Sequence, residues 1–118
     1  MTLDGLAEFG VGTRVDGHRY LVEPGSRFVA RDYRIEGDAS GASYLWAVAA
    51  LSGGSVGVGN LRQGSKQGDL GFPALLERMG CTVEFRPDPG DSRGFGCLTV
   101  RGAERLRAIH ADMELMPD

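Results

Sequence analysis

The stretch that most constrains this chain is "ASYLWAVAAL", residues 42–51, where Ser43 is the single polar residue. It is rich in alanine and free of glycine and proline, so it predicts a helix. A helix lying on a protein surface carries one apolar stripe. This one is apolar on every side, which predicts burial on nearly all sides in a complete protein, with much of that surface losing its cover in this chain alone.

The elements around it are short. Glycine accounts for 19 of the 118 residues, more than twice the usual ~7%. No collagen-like period is present, so the glycines punctuate many brief elements. "TLDGLAEFG" has Leu3, Leu6 and Phe9 at helical spacing and closes on Gly10, a natural residue just past a helix end. Val11, Thr13 and Val15 then alternate, Asp16-Gly17 suits a tight turn, and Tyr20 and Val22 resume the alternation, which predicts a β-hairpin. "RDYRIEG" reads as another short strand through Tyr33 and Ile35, and Val56 and Val58 mark a glycine-rich strand. In "SKQGDLGFPALLERMG", Phe72, Leu75, Leu76 and Met79 share one helical face, with Asp69 expected as N-cap and Gly80 beyond the C-terminus. "CTVEF" and "GCLTV" read as strands joined by a connection too long for a two-residue turn, and a last short strand is expected at 106–109.

The helix–glycine–strand unit occurs twice. Shifted by 70 residues, Leu6 falls on Leu76, Phe9 on Met79 and Gly10 on Gly80, while Val11, Thr13 and Val15 fall on Cys81, Val83 and Phe85. A period of that length means a repeated supersecondary unit, and the second copy stands near the end of the chain.

Composition excludes several classes of function. A net charge of −3 and a pI near 5.3 give no basis for binding nucleic acid or anionic membrane. Cys81 and Cys97 belong to no CxxC, and His18 and His110 lie far apart, so no zinc pattern assembles. "MTLDGLAEFG" lacks the layout of a signal peptide, and the run "YLWAVAAL" is too short to span a bilayer. A soluble, cytoplasmic chain is expected.

Two stretches could hold an anion. "GDASGAS" (37–43) puts small residues and hydroxyls at a helix start, where free N–H groups and the helix dipole favour negative charge. "SKQGD" (65–69) offers Lys66 and Gln67. Both compositions are explained more economically by turns and caps, with Asp38 or Ser40 capping the first helix. Asp118 is different. It follows a proline at the end of the sequence, in the setting of an N-cap with no helix behind it. A carboxylate at such a turn can also act as a general base.

Four segments carry a resemblance. "TLDGLAEFGV", "YRIEGDASGASYLWAVAAL", "NLRQGSKQGDLGFPALLERMG" and "DMELMPD" resemble successive segments of the 5-enolpyruvylshikimate-3-phosphate synthase family. The resemblance covers nearly the whole chain and implies a central piece of that enzyme, lacking both ends. It implies an α+β fold, the inside-out α/β barrel or prism of two globular domains built from βαβαββ units, with residues 1–37 ending one domain and 38–118 starting the second. The implied reaction joins phosphoenolpyruvate to the 5-hydroxyl of shikimate 3-phosphate and releases phosphate. Neither a metal nor an organic cofactor takes part, and the implied parent is a cytoplasmic monomer without nucleic-acid or membrane partners. Asp118 matches the aspartate that contacts the shikimate hydroxyls and serves as base. The sequence departs from the family at Gly41, where a second serine is usual, and at Trp46 and Cys81, where small or aliphatic residues are commoner. The sister enzyme acting on UDP-N-acetylglucosamine is the alternative, disfavoured by "GDASGASY" and "SKQGD". A non-catalytic module of the same fold is another.

Overall fold

A computed structural model describes residues 1–114 and Met116. The chain divides into two compact units, Met1–Ile35 and Glu36–Asp118.

The first unit contains helix α1 (Thr2–Glu8) and a hairpin of β1 (Thr13–Asp16) and β2 (Arg19–Val22). Asp16 pairs with Arg19, which leaves Gly17 and His18 as a two-residue loop. Gly17 has φ of 56°, and such loops demand a left-handed first residue. Val11 is buried, and the Phe9 and Tyr33 rings meet at 5.4 Å between centroids. The strand expected through Tyr33 and Ile35 does not form. Residues 23–38 contain no strand, and Ile35 is 76% exposed. Local alternation favours an extended chain, but a strand also needs a continuous ladder of backbone hydrogen bonds.

The second unit is built on a three-stranded antiparallel sheet of β3 (Ser55–Arg62), β4 (Thr82–Pro87) and β5 (Phe95–Arg101), with β5 in the middle. Helix α2 (Ala39–Ser52) packs on this sheet, and a 3-10 turn (Gly68–Gly71) leads into helix α3 (Phe72–Arg78). The core gathers Ala42, Trp46 and Ala50 from α2 with Leu61, Leu76, Cys81 and Val100. Trp46 is fully buried, and its indole N–H donates to the Leu98 carbonyl at 3.4 Å. Gly102 is required where the chain leaves β5, because a Cβ there would run into the Ala49 carbonyl and Gly53.

Helix α2 extends beyond 42–51 at both ends, and it is not covered all round. Ala39, Ala42, Trp46, Ala49 and Ala50 are buried, whereas Tyr44, Leu45, Val48 and Leu51 are exposed. Trp46 and the four alanines turn inward and the other large residues outward, and nothing in a uniformly apolar run marks the difference. The strand expected at 106–109 is also absent, and Arg107 N–H instead donates to the Met79 carbonyl at 2.8 Å.

The offset of 70 residues seen in the sequence reappears in the backbone. Helices α1 and α3 each run seven residues and end in the same closing turn. Val11 N–H donates to the Leu6 carbonyl at 2.9 Å, and Cys81 N–H to the Leu76 carbonyl at 3.0 Å. Gly10 and Gly80 supply the left-handed residue in each, with φ of 80° and 108°.

Candidate functional site

The two stretches singled out as possible anion sites come together at the start of α2. Asp38 is the N-cap, its carboxylate accepting from Ser40 N–H at 3.0 Å. Gln67 occupies the same helix end from 28 residues away, its Oε1 accepting from Ala39 N–H at 2.8 Å. The other end of that amide donates to the Gly37 carbonyl at 2.8 Å. One planar side chain thus bridges the residues just before and just inside the helix.

Gly37 is held from another side as well, where its N–H donates to the Asn60 carbonyl at 2.7 Å. Asn60 has a left-handed φ of 61°, at the point where the β3–β5 register shifts between Val58 and Leu61. Asparagine tolerates that conformation better than most residues, and the bulge turns its carbonyl away from the ladder. A Cβ on Gly37 would stand 3.1 Å from that oxygen, so the close approach favours glycine.

The hydroxyls are engaged too. Ser40 donates to the Asp69 carboxylate, and Ser43 to the Ser40 carbonyl at 2.7 Å. Asp69 is 8% exposed and belongs to the 3-10 turn. The expected role of Asp69 as N-cap of α3 is therefore incorrect. Gly71 takes the cap position without a side-chain bond, and Pro73 occupies the first turn, where its missing N–H costs nothing. Asp69 is diverted because Ser40 lies within reach across the fold. The protein's own oxygens thus occupy the start of α2, and two carboxylates stand beside it. That arrangement opposes a bound anion and makes the junction structural, in line with the capping reading.

Beside this junction lies an open cavity of about 220 Å³, bounded by Ser43, Tyr44, Ala47, Asp69, Phe72, Met113 and Met116. The segment after β5 reaches it by turns. Glu114 N–H donates to the Asp112 carboxylate at 2.9 Å, and Met116 N–H to the Met113 carbonyl at 2.9 Å. Asp118, the one catalytic and substrate-contacting residue expected from the sequence, lies outside the described residues. His18 and His110 are exposed, while Cys81 is buried and Cys97 half-buried, both as free thiols. No group of three or more His, Cys, Asp or Glu able to hold a metal is found among the described residues. None of their helices is long and apolar enough to cross a membrane.

Sequence reasoning missed the bridging role of Gln67 and the part played by Arg78, whose guanidinium donates to the His110 carbonyl at 2.7 Å. No local signal marks either, since their partners are about thirty residues away.

Among the described residues, two small antiparallel sheets and three α-helices make a mixed α/β chain compatible with the fold of the EPSP synthases. The chain belongs to that family: the model for EPSP synthase (3-phosphoshikimate 1-carboxyvinyltransferase) matches residues 1–118. It is similar to a 3-phosphoshikimate 1-carboxyvinyltransferase of Methanoculleus marisnigri, 42% identical over 119 residues, covering all of this chain and 26% of that protein. The Nostoc sp. protein of the same name is 41% identical over 119 residues, with the same coverage. The Bordetella pertussis protein is 43% identical over 128 residues, again covering all of this chain and 26% of its own length. The chain thus spans about a quarter of the length of these relatives.

Proposed function

We propose that this chain is the central part of an enolpyruvyl transferase that joins phosphoenolpyruvate to shikimate 3-phosphate. The match of all 118 residues to the EPSP synthase family carries this reading. In the proposed reaction the 5-hydroxyl oxygen adds to the enol carbon of phosphoenolpyruvate and gives up its proton to a base. The methylene carbon gains a proton to become a methyl group, and the tetrahedral adduct then loses phosphate together with one methyl proton to give the enolpyruvyl ether. Asp118 is the proposed base, and cationic groups elsewhere in the protein hold the two phosphates and the carboxylate. The reaction needs no cofactor, and the enzyme works as a cytoplasmic monomer.

The architecture proposed with it is the two-domain prism of βαβαββ units, with residues 1–37 closing one domain and 38–118 opening the other. Three observations support this. The closing turns of α1 and α3 repeat at an offset of 70 residues. The chain divides between Ile35 and Glu36. The large apolar residues on the outer face of α2 need cover that a protein four times as long can supply.

The test is turnover with both substrates. In a full-length transferase carrying this stretch, Asp118→Asn should lower kcat by roughly 10²–10⁴-fold, as expected for loss of a general base, with a smaller change in KM. Asn caps a helix nearly as well as Asp, so near-wild-type turnover would leave only a capping role. The 118-residue chain alone should release phosphate at background rate, since catalysis here rests on positioning by groups it lacks.

A further inference from the structure

An aspartate followed by glycine or serine can react with its own main chain. The next backbone nitrogen attacks the side-chain carboxyl carbon, the C–OH oxygen leaves as water with the nitrogen's proton, and a five-membered imide forms. Water then reopens the ring at either carbonyl. One opening regenerates aspartate, and the other leaves isoaspartate, whose main chain runs through the side-chain methylene. Attacker and target belong to adjacent residues, so the rate depends on how freely they meet. Three places in the chain have the right sequence, Asp4-Gly5, Asp16-Gly17 and Asp91-Ser92. The fold treats them differently.

Two of the three are engaged. In α1 the Gly5 N–H donates to the Met1 carbonyl at 3.0 Å, and the Asp4 carboxylate lies 3.0 Å from the terminal ammonium. The Asp91 carboxylate accepts from Arg93 N–H at 2.6 Å and from Phe95 N–H at 3.4 Å, and its side chain is 9% exposed. Asp16 differs on each count. It is exposed at the end of β1, and Gly17 opens the two-residue loop with nothing within 4 Å of where a Cβ would stand. Among the described residues no hydrogen bond or ion pair engages the Asp16 carboxylate or the Gly17 N–H. Imide closure requires the last ladder pair, Asp16 with Arg19, to open, and neither β1 nor β2 contains a buried residue to oppose that.

We propose that Asp16 is a modification site, where isoaspartate forms spontaneously in the folded chain. This is independent of the activity proposed above. The product carries a free α-carboxylate at an exposed turn, the group that a protein isoaspartyl methyltransferase esterifies. It also adds one carbon to the main chain between residues 16 and 17. A two-residue loop is specific in length, so the extra atom breaks the pairing of Asp16 with Arg19 and frays the hairpin from its tip. An ordinary role exists for Asp16-Gly17 as a turn sequence and nothing more. In that case the ladder holds Asp16 in place, and no excess of isoaspartate over Asp4-Gly5 arises.

The experiment incubates the 118-residue chain in warm neutral buffer, native and in urea. Isoaspartate is read by tryptic peptide mapping, with methyl labelling by protein isoaspartyl methyltransferase and radioactive S-adenosylmethionine. Cleavage after Arg14 puts Asp4 and Asp16 on different peptides. In the native chain the Asp16 peptide should gain isoaspartate severalfold faster than the Asp4 and Asp91 peptides. In urea the Asp4 peptide should rise to the Asp16 rate, because both then react as unfolded Asp-Gly pairs. Asp16→Glu should remove the signal from its peptide, since closure there needs a slower six-membered ring. Equal native rates at Asp4 and Asp16 overturn the proposal. So does a native Asp16 rate far below its rate in urea, which means that the hairpin protects it.

Discussion

Gln67 shows how much one amide can carry. Its oxygen takes the Ala39 N–H and its nitrogen gives to the Gly37 carbonyl, both at 2.8 Å and both partly buried. Gln67→Ala would leave a donor and an acceptor without their partners, at a cost of about 1–3 kcal/mol. Gln67→Glu keeps the acceptor, loses the donor and brings a third carboxylate near Asp38 and Asp69, so it should rescue little. Urea unfolding of the three proteins checks the order; a Glu variant as stable as wild type would refute this account of the bridge. The contrast with Asp38 explains what was legible in the sequence. Asp38 bonds two residues ahead, and proximity along the chain made its cap readable. Gln67 bonds 28 and 30 residues back, and Asp69 was misassigned because Ser40 approaches it only in the folded chain. Asp118 enters through family resemblance alone, since neither spacing nor composition reveals a base.

At the scale of elements, helices and the strands of the larger sheet were readable because each carries its own period and its own punctuation. The failures share a cause. A strand exists only with a neighbour, so the alternation at 31–37 and at 106–109 was not sufficient. A helix apolar all round has no periodicity from which a face can be chosen, so the sequence could not say that Trp46 turns inward and Val48 outward. Their burial, none of Trp46 exposed against 60% of Val48, makes a sharp test in the isolated chain. Trp46→Ala should cost roughly 3–5 kcal/mol through lost contacts and a cavity in the core. Val48→Ser, at an exposed helical site, should shift stability by roughly 0.5 kcal/mol or less. Thermal melts of the two variants check the pair, and equal losses would mean that Val48 is packed.

At the scale of the whole molecule, the main physical problem is uncovered apolar surface. Tyr44, Leu45, Val48 and Leu51 form one such face, and Tyr20, Leu21, Val22 and Phe28 are likewise exposed in the first unit. Contiguous apolar surface of this kind drives association when nothing covers it. The 118-residue chain should sediment as a concentration-dependent mixture, and Leu45→Glu with Val48→Glu should shift it toward monomer; a monodisperse wild-type chain would contradict this. The strand order adds a temporal dimension. β5 lies between β3 and β4 and is the last of the three to be synthesised, so β3 and β4 emerge from the ribosome without the neighbour that joins them. Helix α2 leaves the ribosome some fifty residues ahead of the strand whose Leu98 receives Trp46. At about 5–20 residues per second, that interval lasts on the order of seconds, far longer than a helix takes to form. During those seconds both sides of α2 face water, and the nascent chain is an apolar client awaiting either a chaperone or its own central strand.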